Sequence, residues 1–169
     1  MSTETAAEMD MGTKPVGEHK WLSRLVGDWN VESEMWTEPG AEPMLTKSTE
    51  SVKMLGELWA ISEGRASMPN GDPMHSIFAL GYDVSFKKYR GCWIGSPSSH
   101  LWVYDCELSE DGNTMTMNCT GPSMVNDGET AQYRDVIEFL DDNTRTWTNM
   151  AQDEKGEWKS FMKSTYKRA

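Results

Sequence analysis

The chain has 169 residues, enough for one hydrophobic core rather than two, because chains of about 100–200 residues usually form a single domain. Its 16 Lys and Arg stand against 27 Asp and Glu, and a formal charge of −11 excludes affinity built on neutralising phosphates or an anionic membrane surface, so neither nucleic acid nor membrane is an expected partner. No apolar run reaches membrane-spanning length, and the opening "MSTETAAEMDMG" lacks the basic and apolar regions of a secretory signal, so a soluble, cytoplasmic protein is expected.

Residues 1–14 are small, acidic and without apolar periodicity, and are expected to form a disordered or loosely ordered tail before a single domain over 15–169. From Val16 to Val26 the apolar residues Trp21, Leu22, Leu25 and Val26 share one face, with Pro15 near the start and Gly27 near the end, which predicts a lid-like helix of about three turns. Everything afterwards reads as strand and turn. The predicted strands are 28–37, 46–55, 57–67, 74–85, 88–95, 100–109, 113–121, 130–140, 144–151 and 157–167, separated by turn clusters such as "PNGDP" and "VNDGE". In "VIEFL", Ile137 and Phe139 alternate with Val136, Glu138 and Leu140. In the last strand Trp158, Ser160, Met162, Ser164 and Tyr166 alternate with largely basic neighbours. Ten strands with short links make an antiparallel up-and-down meander, and full closure removes both of its edges. The fold class is therefore all-β, a closed barrel of about ten strands with the helix capping one end. About eight strands make a tube filled by its own side chains or one small ligand, so roughly ten should leave unfilled interior.

Motifs for chemistry are sparse. Three cysteines, Cys92, Cys106 and Cys119, cannot all pair and match neither a CxxC site nor a zinc ribbon, so they read as reduced and mostly structural. The glycosylation pattern at Asn118, Cys119 and Thr120 is accidental in a chain without an export signal. The histidines, His19, His75 and His100, form no HxxxH, HxH or HExxH, and no metal site is predicted. "GSPSSH" sets serines beside His100 but lacks the G-x-S-x-G elbow and reads as a loop, so no catalytic residue is assigned.

Polar residues on strand faces are better candidates. In "WAISEGRAS", Trp59, Ile61, Glu63 and Arg65 share one face, and Leu58, Ala60, Ser62 and Gly64 the other. If the first face is inward, Arg65 is a candidate partner for a ligand carboxylate with Glu63 beside it. If it is outward, the two make a surface contact worth little. Arg134 in "QYRDVIEF" poses the same choice. Tyr82, Trp93, His100 and Trp102 come from three consecutive strands. They either line a mouth that stacks a planar ligand or are ordinary aromatic packing.

The blocks "HKWLSRLVGDW", "LGELWAISEG", "ALGYDVSFKKYRGCWIGSPSSH" and "STYKR" resemble, in this order, the bacterial DUF1579 family of calycin-like (lipocalin and fatty-acid-binding-protein-like) barrels of uncharacterised function, over about residues 18–168. The middle block is the most specific. The resemblance implies that Trp29 packs across the barrel floor beneath the N-terminal helix, with a late basic residue such as Arg168 stacked upon it. A guanidinium over an indole face gains about 0.5–2 kcal/mol. A barrel of this class resembling nitrobindin would hold haem iron through a histidine, yet the last third of the chain has none, so haem is disfavoured and no cofactor is predicted. The expected function is binding of a small apolar or amphipathic molecule in the barrel interior, with a homodimer allowed as the assembly. The alternatives are an enzyme using Glu63, Tyr82 or His100 as acid or base on the bound molecule, and a protein-interaction module with a solid barrel.

Overall fold

The computed structural model describes residues 12–169; of the tail expected over 1–14, residues 1–11 lie outside the described residues. A short helix, α1 (His19–Leu22), and a 3-10 turn (Ser23–Leu25) precede ten strands. These are β1 (Gly27–Met35), β2 (Met44–Leu55), β3 (Trp59–Ser67), β4 (Pro73–Asp83), β5 (Lys88–Gly95), β6 (Trp102–Leu108), β7 (Thr114–Pro122), β8 (Thr130–Asp141), β9 (Thr144–Gln152) and β10 (Trp158–Arg168). Each ends within two residues of the position that alternation and turn signals predict. Strands pair antiparallel with their sequence neighbours, and β1 pairs with β10 from Trp29 opposite Arg168 to Met35 opposite Met162, which closes the barrel.

The helical segment is shorter than the three turns expected over 16–26: one α-helical turn is followed by one tighter turn. His19 sets its start. The ring accepts a hydrogen bond from the Val16 amide at Nδ1 (2.9 Å), which leaves the proton on Nε2 to be donated to the Tyr82 carbonyl (3.1 Å). The tightening at Ser23–Leu25 brings the Leu25 carbonyl to the indole N–H of Trp29 at 2.8 Å. Gly27, at φ 130°, makes the corner into β1. A side chain there would be strained, and its Cβ would lie 2.7 Å from Arg168 Nη1.

At this end the interior is solid. Trp21, Leu22 and Leu25 enter the barrel from the helical segment and meet fully buried Leu80, Met115 and Ile137. Trp21 and Tyr89 lash the lid down, the first donating to the Gly112 carbonyl (2.7 Å) and the second to the Glu18 carbonyl (2.6 Å). Trp29 is 1% exposed. The Arg168 guanidinium lies 4.3 Å from the centre of its ring and also donates to the carbonyls of Arg24, Val26 and Asp142. A second guanidinium, that of Arg145, lies 4.7 Å from Trp29 and 3.8 Å from Tyr166, and is ion-paired with Glu50.

Two strand faces needed the fold to define them. In β3 the small residues Ala60, Ser62, Gly64 and Ala66 face inward, while Trp59, Glu63 and Arg65 are exposed. Space decides this: a Cβ on Gly64 would lie 2.4 Å from Ser76 Oγ, whereas outside Trp59 covers Gly81. In β10 the alternation expected from Trp158 to Tyr166 breaks at a bulge between Ser160 and Met162. Phe161 and Met162 both reach the interior, and Trp158 turns outward beneath the Arg134 guanidinium, 4.2 Å from its ring centre.

Candidate functional site

Above the packed floor the barrel is hollow. A cavity of about 520 Å³ opens at the end opposite α1, with walls drawn from all ten strands. Its rim carries the flexible apolar side chains Met35, Met68, Met74 and Met162. Below them Trp93 and Trp102 lie flat against glycines: a Cβ on Gly95 would come within 2.3 Å of the Trp93 ring, and one on Gly121 within 2.2 Å of the Trp102 ring. Trp102 continues edge-on to Tyr133 at 5.0 Å, and Tyr133 to Phe161 at 6.4 Å. Deeper, Phe78 packs edge-on against Tyr104 and Trp147.

Polar groups line two sides, small hydroxyls such as Ser33, Ser48, Ser62 and Ser76 on β1–β4 and a cluster around Asp135 on β8 and β9. Asp135, 5% exposed on the inner face of β8, accepts a hydrogen bond from the Tyr104 hydroxyl at 2.8 Å. Burial pushes its carboxyl above the usual carboxylate range, against the opposing influence of Tyr104, Asn149 and Trp147. The Trp147 indole N–H lies near this carboxyl without closing a well-formed hydrogen bond, and the buried amide oxygen of Asn149 has no partner. Cys119, on the same wall, has its thiol pushed up to about 12 by burial and by Asp135, so it stays protonated at neutral pH. Across the barrel Ser33 and Ser164 satisfy each other at 2.7 Å. Glu50 faces the cavity floor with its charge met by Arg145 beneath.

Of the residues singled out in the sequence, Trp93 and Trp102 line this cavity, and Arg65 stands at its rim with an exposed side chain. Glu63 is on the outer surface. Arg134 is also outside, donating to Asn118 Oδ1 at 2.9 Å. Tyr82 belongs to the closed end, packed against His19 and Tyr89. His100 precedes β6, edge-on to Trp102 at 4.7 Å with Nε2 3.4 Å from the Thr120 carbonyl. No histidine lines the cavity, and among the described residues no three His, Cys, Asp or Glu side chains converge as a metal site would require. Sequence reading missed Asp135, Tyr104, Asn149 and the Glu50–Arg145 pair. The signal for Asp135 was present: it shares strand parity with Ile137 and Phe139, and that parity sends its neighbour Arg134 outward.

A ten-stranded up-and-down barrel, plugged at one end by a helical lid and hollow toward the other, defines a calycin-like β-barrel protein. The chain belongs to the DUF1579 family, described as a protein of unknown function, whose profile matches residues 14–168. No curated protein matches it. Among solved structures, Rv2717c from M. tuberculosis aligns with a TM-score of 0.59 at 10% identity, covering 92% of this chain and 99% of that one. The S-type phycobiliprotein lyase CPES from Guillardia theta aligns with a TM-score of 0.57 at 14% identity, covering 91% and 93%. At these identities the likeness is one of fold.

Proposed function

We propose that the protein binds a small apolar or amphipathic molecule inside the barrel. The observation that carries this reading is the cavity of about 520 Å³, a volume typical of ligand sites, with aromatic and methionine side chains on its walls and a small set of buried polar groups among them. A folded chain without a guest would gain more from filling that space with its own side chains, because close packing is the default of protein interiors. The test is native mass spectrometry of protein taken directly from cells, with tryptophan fluorescence titrations using phenylbutanol, phenylbutylamine and phenylbutanoic acid. A co-purifying mass or a saturable change is expected; no retained mass and no response at millimolar concentration would overturn the reading. Three unpaired cysteines suit a reducing compartment, which supports reading the protein as cytoplasmic.

A second reading is favoured by one surface feature. Ile77 and Ile94 are register partners on the outer face of β4 and β5, and with Leu101 and Val103 they expose apolar surface beside one another. This strip suits a homodimer, since a two-fold axis pairs a patch with itself. Sedimentation velocity should show a dimer that Ile94→Lys converts to monomer; a monomer at all concentrations removes it.

A further inference from the structure

We infer that the cavity selects amphipathic amines, molecules with a protonated amino group on an apolar body, over acids of the same shape. This inference rests on the reading of the cavity as a ligand site and names the chemistry of its guest.

The interior charges decide it. Two carboxyl groups face the cavity, those of Glu50 and Asp135. Arg145 meets the first from beneath the floor. Among the described residues no basic side chain pairs with Asp135, which is held only by neutral groups on Tyr104, Asn149 and Trp147. The one basic residue on the cavity lining is Arg65, whose side chain is at the rim and exposed, where water screens it. A guest carboxylate would therefore enter a chamber with no inner cation to receive it and an acid already in place. An ammonium would find the opposite: the Asp135 carboxyl, which has no counter-ion of its own and is drawn to its charged, accepting form by a cation beside it. An ammonium is a donor only. The electron-rich faces of Tyr104, Trp147 and Phe78 around this corner add attraction for a cation. The apolar body would then extend past Trp93 and Trp102 toward the methionine rim. A net charge of −11 favours approach of a cation from outside as well.

The test is isothermal titration of the full chain with phenylbutylamine, phenylbutanol and phenylbutanoic acid, which share one apolar body and differ in the charge of the head. The amine should bind more tightly than the acid by about tenfold or more, the size of effect an opposite charge within about 4–6 Å exerts on a carboxyl group. In Asp135→Asn, which keeps the shape and an acceptor for Tyr104, that advantage should fall by about tenfold while the alcohol's affinity holds. Equal or tighter binding of the acid to the wild-type protein overturns the inference and needs no variant to be read. Alcohol and acid binding without the amine overturns the amine preference alone; failure of all three removes the ligand site with it.

Discussion

Asp135 concentrates the tension between folding and binding in one side chain. Its folded pKa is raised by burial, so the folded state holds the proton more tightly than the unfolded chain does. The favourable contribution is fully present below the unfolded pKa and is lost as pH rises through the folded value. The groups around it, Tyr104, Cys106, Cys119 and Tyr166, are themselves pushed upward and stay neutral through that window. Asp135→Asn should thus raise the melting temperature relative to the wild type, by an amount that grows as pH rises above the usual carboxylate range. A calorimetric pH series checks it, and a constant difference would refute it. Arg145 obeys a different rule. It is 1% exposed, with Nε and Nη1 lacking hydrogen-bond partners, and its charge is tolerated because Glu50 and two aromatic faces meet it. Arg145→Met should cost about 3–5 kcal/mol by leaving Glu50 buried and uncompensated, and adding Glu50→Gln should recover part of that loss. Urea denaturation of the two variants measures both. Neither residue stands out in the sequence, because a charge on an inner strand face looks the same as one on an outer face until the parity of the strand is known.

For the individual strands, parity was readable where apolar residues marked it and ambiguous where they did not. Ile137 and Phe139 fixed β8, and both are buried. In β3 the face bearing Trp59, Ile61, Glu63 and Arg65 could point either way from sequence, and the barrel turns it outward because the inner wall there has room only for small residues. The bulge in β10 adds a residue that no periodic count anticipates, and it moves Trp158 from the expected inner row to the surface. The helical lid was foreseen in place and in its buried residues but not in its length. That length is fixed by the Leu25 carbonyl reaching Trp29 and by Arg168, from the far end of the chain, reaching Arg24 and Val26. Arg168→Ala should therefore loosen α1 and the start of β1 more than the far end of the barrel. Hydrogen exchange should show faster exchange at residues 18–30 with β5 and β6 unchanged, whereas uniform acceleration would mean that the residue supports the whole sheet equally.

The whole molecule was the most legible level. Strand count and the need to remove two edges led to a closed barrel with interior space, and the register of β1 on β10 and the cavity above Trp147 are what the molecule has. The details of the cavity were less legible, since they depend on which side chains from ten strands converge, and no local pattern encodes that convergence. Closure has its own measurable effect. With every strand held on both sides, the barrel should unfold in urea as one unit, with tryptophan fluorescence and far-ultraviolet circular dichroism giving the same midpoint. Separate midpoints would indicate that the lid or a set of strands lets go first.

The hydrogen bond from Arg168 to the Val26 carbonyl joins positions 142 residues apart, and this spacing sets a timetable for the newborn chain. At about 5–20 residues per second, a ribosome leaves β1 without its second neighbour for on the order of ten seconds. During that wait the exposed flank is a docking invitation to any other nascent strand. The outward row of β1, Asp28, Asn30, Glu32 and Glu34, is polar throughout and mostly acidic, so two such chains on one messenger repel each other until β10 arrives. Acidity on this strand thus protects the protein before it has a cavity to fill.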